Sequence, residues 1–154
     1  GPPFLDGQLK ASSTLAAQGE NEYSASNVCD DDPTTAWVEG KSDYGVGEFL
    51  ELEWKPMNDG EISILNGYQA SQSTWENNSR VKMMKVSVGG KDICIIELAD
   101  AMGVQKFKIS GLVKTTEKGH EYNMDGPIRF TITEVYPGLK HKDNAISGIF
   151  SCGG

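Results

Sequence analysis

The chain has 154 residues, 38% of them hydrophobic and 23% charged, which suits one folded domain with a real core and excludes a disordered chain. Its 22 acidic and 14 basic side chains give a net charge of -8 with no Lys/Arg cluster, so nucleic acid and anionic membrane are poor partners. No apolar run approaches a membrane span, and the 18 glycines favour turns and short strands over helices.

Gly1-Pro2 reads as a protease scar left by tag removal, so the single domain is expected over residues 3–152. Leu9 and the small residues Ala11-Ser12-Ser13 open a first strand. Residues 14–26 form a small, polar loop with Tyr23 tucked beneath it. The acidic stretch NVCDDDPTTAWVEG (27–40) follows, with a short strand over 34–39, and residues 41–47 form a glycine-bounded loop that exposes Tyr44. In 49–54, Leu50, Leu52 and Trp54 share one face while Glu51 and Glu53 share the other, the period of a half-buried strand. After the turn at 56–60, residues 61–65 give a strand with Ile62 and Ile64 inward. Residues 66–80, NGYQASQSTWENNSR, form a long polar and aromatic loop, a length that in compact domains usually serves function. A strand over 81–88, with Met84, Val86 and Val88 inward, turns at Gly89-Gly90 into a strand over 93–98. Residues 104–109 alternate again. Residues 114–126 read as a second long loop carrying His120 and Tyr122, both expected to be at the rim or solvated. The longest strand spans 127–136. A third loop, 139–144, with a solvated His141, leads to the last strand over 145–150. No segment sustains helical periodicity. Eight or nine short strands indicate an all-β, antiparallel jelly-roll sandwich.

The acidic stretch gathers hard oxygens. Asp30, Asp31 and Asp32 meet Pro33, which blocks helix, and Thr35 adds a hydroxyl. Calcium takes 6–8 oxygen ligands, so a cation loop is one reading; the other is a solvated turn whose carboxylates cap backbone donors. Strict alternation along the longest strand places Glu134 inward beside Ile132. A buried carboxylate needs a partner, so either a bulge rotates Glu134 outward or a cation meets it and completes a site with Asp30 and Thr35.

Cys29, Cys94 and Cys152 fit no zinc spacing. Cys94, within ICIIEL, reads as a buried thiol, and Cys29 with Cys152 is the one disulfide pair considered. There is no HExxH, GxSxG or P-loop, and neither histidine lies in a catalytic setting; the chain is expected not to be an enzyme.

ASS (11–13) and SASNVCDDDPTTAW (24–37) resemble the discoidin-like, galactose-binding-like domains through Asn27, Asp30, Asp32, Thr35 and Trp37, with Glu134-Val135 matching a late strand; Asp31 replaces the usual glycine. That resemblance implies a galactose-binding-like jelly roll and a structural calcium held by Asn27, Asp30, Asp32, Thr35 and Glu134. TTAWVEG, GVGEFLEL, ILNGYQ, WENNSRVK, IIELAD, ITEVYPG and KDNAISGI, in order, are similar to the NADase-type glycan-binding domain across nearly the whole chain. This implies a non-catalytic glycan-binding module of a larger secreted or surface bacterial protein, with protein adhesion on the same fold as the alternative.

A sugar site needs an aromatic platform and convergent polar groups. The 66–80 segment offers Tyr68, Trp75, Asn78 and Arg80, and Glu39 and Asp143 join them if their loops share an end of the sandwich. Trp75 as a loop anchor, Arg80 as a partner of Glu39 or Asp143, and Asn66 as a turn residue are the competing structural roles. Trp37 and Trp54 are expected in the core.

Overall fold

The computed structural model describes residues 9–30, 32–52, 60–109, 113–122 and 126–149. Period-2 alternation produces most of the strands in order: β1 (Leu9–Ala11), β2 (Trp37–Val38), β3 (Phe49–Leu52), β4 (Glu61–Asn66), β5 (Arg80–Val88), β6 (Lys91–Glu97) and β7 (Val104–Lys108). They continue through β8 (Val113–Thr116), β9 (Gly119–Tyr122), β10 (Ile128–Tyr136) and β11 (Ala145–Ile149). All pairings between these strands are antiparallel, in a five-stranded sheet β1-β3-β10-β5-β6, a four-stranded sheet β2-β11-β4-β7 and a hairpin β8-β9.

The inward rows of the two large sheets form one core. Leu50, Leu52, Met84, Val86, Val88, Ile128, Phe130 and Ile132 come from the first sheet and Trp37, Ile62, Ile64, Ile146 and Ile149 from the second. Each large aliphatic or aromatic side chain removed from water contributes about 1.5–3 kcal/mol. Trp37 belongs to the core as expected, and its indole N–H donates to the Ser13 carbonyl at 2.9 Å. Trp54 lies outside the described residues.

Two expectations need correction, and one open alternative is decided. Residues 66–80 are not all loop: they hold a helix, α1 (Gln72–Asn77), N-capped by Ser71, whose hydroxyl accepts from the Thr74 N–H at 3.0 Å. At six residues the helix is too short to show a period in the sequence. Residues 114–126 are not all loop either, since they contribute most of the β8–β9 hairpin. Finally, of the two alternatives for Glu134 the bulge holds, and Glu134 does not point inward. Two register shifts flank it in the β10–β5 ladder, and this bulge turns it to solvent opposite Met83 while Ile132 stays buried.

Candidate functional site

At one end of the sandwich the loops after β1, before β2, after β4 and before β11 converge. Gly67 pairs with Ile146 and Ser79 with Asn144 in isolated parallel bridges, so the β4–β5 connection is laced to the chain entering β11. The Ser79 N–H donates to the Asp143 carbonyl at 3.0 Å, and the His141 N–H to the Asn77 carbonyl at 2.8 Å. Gly138 makes this approach possible: a Cβ there would sit 2.5 Å from the Asn77 carbonyl oxygen.

Between these loops lies a cleft of about 360 Å³, within the roughly 300–1,000 Å³ of small-molecule sites. Tyr23 and Tyr68 line it, their rings edge to face at 6.3 Å and 79°. They rest on a small apolar cluster with Val38, Ala36 and Ala145. Burial pushes the Tyr68 hydroxyl above its ordinary value. Thr74 and Asn78 come from the α1 segment, Thr34 from the acidic loop, and His141 and Asp143 from the loop before β11. The Asp143 carboxylate has no hydrogen-bond partner among the described residues. Burial raises its pKa, partly offset by His141.

Three of the six expected sugar ligands thus line the cleft: Tyr68, Asn78 and Asp143. The other three do not, and each has a structural task instead. Glu39 is fully buried; it accepts the Asn144 N–H on Oε1 at 2.9 Å and the Lys41 N–H on Oε2 at 2.8 Å. Burial is the largest influence on its carboxyl and raises its pKa. Trp75 anchors α1: its indole N–H donates to the Asn66 carbonyl at 3.1 Å, and the Arg80 guanidinium lies 4.4 Å from its ring centroid. Arg80 pairs with Asp100, not with Glu39 or Asp143, through Nε at 2.8 Å and Nη2 at 3.3 Å. Its Nη1 donates to the carbonyls of Trp75, Glu76 and Asn78 at 3.1, 3.2 and 3.0 Å, closing the C-terminal end of α1. Gly67, at φ +76°, lets the backbone pass this pair: a Cβ there would lie 2.6 Å from the Arg80 Cγ. Asn66 is a strand clamp, exchanging side-chain hydrogen bonds with the Val81 carbonyl and N–H at 2.7 and 3.0 Å.

Sequence reasoning missed Tyr23, Thr34 and Thr74 as lining residues and treated His141 as merely solvated. They come from irregular segments or, for Thr74, from the short α1, where periodicity says nothing about which side chains face one another. Tyr44 is exposed as expected, with the Lys142 ammonium 5.6 Å from its ring centroid. His120 and Tyr122 fall on β9.

The acidic loop closes on itself. Asp30 accepts the Asp32 N–H on Oδ1 at 2.9 Å and the Thr35 hydroxyl on Oδ2. Asp32 accepts the Thr34 N–H and hydroxyl at 2.9 and 2.6 Å, which holds its carboxyl below the usual range. The Asn27 amide donates to the carbonyls of Glu22 and Ala36 at 2.8 and 2.9 Å. Glu134, turned to solvent by its bulge, does not join them. Among the described residues, no three His, Cys, Asp or Glu side chains gather to hold a metal. This donor set does not fit the calcium site that the resemblance implied. Cys29 is disulfide-bonded; Cys152, its expected partner, lies outside the described residues. Cys94 is a free, half-buried thiol whose pKa burial raises.

An antiparallel two-sheet sandwich with a cleft among its end loops is the arrangement of the galactose-binding-like, discoidin-type modules. Within that class, the chain belongs to the NAD glycohydrolase translocation F5/8 type C domain family, which it matches over residues 5–151. No curated protein matches it in sequence. A solved structure of CpGH89CBM32-5 from Clostridium perfringens, in complex with GalNAc-β-1,3-galactose, aligns at TM-score 0.57 and 15% identity, covering 96% of this chain and 95% of that one. The C-terminal domain of a chitobiase from Bacteroides fragilis aligns at 0.54 and 16%, covering 92% and 91%. Arabinofuranosyltransferase AftD from Mycobacteria aligns at 0.60 and 14%, covering 92% of this chain but only 10% of that much longer one. At these identities the likeness is one of fold.

Proposed function

We propose that this domain is a non-catalytic glycan-binding module of a larger secreted or surface bacterial protein, and that the loop-end cleft is its sugar site. The observation that carries this reading is the cleft's composition. Tyr68, partly exposed and backed edge to face by the buried Tyr23, offers apolar surface for the C–H face of a sugar ring. Asp143, Asn78, Thr74 and Thr34 supply acceptors and hydroxyls for its hydroxyl groups. The complex of CpGH89CBM32-5 with a disaccharide is a precedent for sugar binding on this fold. No helix among the described residues is long and apolar enough to cross a membrane. A single shallow cleft gives modest affinity, and attachment to further modules would raise it through avidity.

The test is a glycan array with the wild-type domain beside Tyr68→Ala. Binding to one sugar class, lost in the variant while the melting temperature is kept, supports the reading. Binding that survives in Tyr68→Ala would place the site elsewhere. A blank array with capture of a protein partner would replace glycan binding by protein adhesion.

A further inference from the structure

Resting on the glycan reading, we infer that the cleft selects by charge: it takes uncharged or amino-bearing sugars and refuses acidic ones. Among the described residues that line it, Asp143 is the one carboxylate, and there is no Lys or Arg. Asp143 is not spent on the fold. Its backbone carbonyl holds Ser79, while its carboxylate is open to two donors, such as the hydroxyls of a vicinal diol or a sugar ammonium.

The surroundings deepen the negative field. Glu39 is buried beside Asp143, its Oε1 accepting the N–H of the next residue, Asn144, at 2.9 Å, and Asp32 accepts the Thr34 N–H and hydroxyl at the rim. Of the nearby cations, Lys140 is exposed and does not line the cleft, and three others have partners. Arg80 is held by Asp100 and three carbonyls, the Lys142 ammonium lies 5.6 Å from the Tyr44 ring centroid, and Lys41 lies 3.5 Å from Asp43. His141 is exposed and is the one imidazole among the lining residues. Recognition of a sialate, uronate or sulfate calls for a guanidinium, an ammonium or clustered N–H donors. Here the anion would instead face a partly desolvated carboxylate, where like-charge repulsion exceeds its value in water.

The test is an array carrying neutral, free-amino, sialylated, uronate-bearing and sulfated glycans at neutral pH, probed with wild type, Asp143→Asn and Asp143→Lys. For wild type, the acidic members of each matched pair should bind at least about tenfold more weakly than the neutral ones. Asp143→Asn should narrow that gap and Asp143→Lys should close or invert it. Should the lysine variant not fold, Asp143→Asn and a salt series on wild type carry the comparison, since added salt should also narrow the gap. Acidic glycans bound as well as their neutral counterparts would overturn the charge selection while leaving the glycan reading intact. A blank for every class would overturn the glycan reading, and this inference with it.

Discussion

Replacing Arg80 by alanine should unfold the frame of the cleft before it alters any ligand contact. The guanidinium makes five hydrogen bonds, two to Asp100 and three to carbonyls at the end of α1. It also covers the ring of the buried Trp75. Breaking a buried pair by removing one partner costs about 3–5 kcal/mol. Asp100 is 41% exposed and regains water, which favours the lower part of that range, about 3–4 kcal/mol. For a domain of this size such a loss lowers Tm by about 6–16 °C, and it is a large share of a total stability of about 5–15 kcal/mol. Urea unfolding followed by far-UV circular dichroism, with Arg80→Lys alongside, measures it. The lysine keeps the charge but has three donors in place of the fork, so it should recover only part of the loss. A change below about 1 kcal/mol in Arg80→Ala, the scale of an exposed ion pair, together with lost glycan binding, would refute the structural role and return Arg80 to the ligand.

Two further outcomes follow from the same geometry. Burial holds the folded-state pKa of Glu39 above its ordinary value of 4.5, so as pH rises past that value the unfolded chain releases a proton that the folded one retains. The free energy of unfolding of wild type minus that of Glu39→Gln should therefore fall between pH 4.5 and neutrality; a flat or rising difference, from denaturant titrations across that interval, would show that burial does not dominate this carboxyl. For the acidic loop, calcium present at 100 times its Kd would add about 2.7 kcal/mol, or about 5–11 °C in Tm. Scanning calorimetry with and without EDTA is expected to show no shift of that size, and a shift that large would restore a cation to Asp30, Asp32 and Thr35.

The sandwich was largely legible because a strand buried on one face writes its period directly into the sequence, as Leu50-Glu51-Leu52 and Ile128-Arg129-Phe130 do. What escaped was whatever breaks or outruns that period. The bulge at Glu134, one of two alternatives raised by its costly inward carboxylate, has no signature such as glycine to decide between them, α1 is too short to repeat, and the β8–β9 hairpin is too polar to alternate. The candidate site was half legible for a different reason. Trp, Arg and Glu that bind a sugar and those that fasten a loop are the same chemical types. Only the fold shows that Arg80 faces Asp100 and the end of α1, whereas Asp143 faces the cleft. Tyr23 was expected to be tucked beneath its loop and is 8% exposed, but its pairing with Tyr68 joins residues 45 positions apart and has no local trace.

The lacing of Ser79 to Asn144 and of Gly67 to Ile146 has a consequence for how this module can diversify. The groups that hold the cleft's rim together, Arg80, Trp75, Glu39 and Asn66, are not those that face into it, Tyr68, Thr34, Thr74 and Asp143. Substitutions in the second set leave the side-chain hydrogen bonds of the first in place, so the lining can change at a few positions without rebuilding the scaffold. A designer choosing positions to randomise would take the second set and leave the first alone.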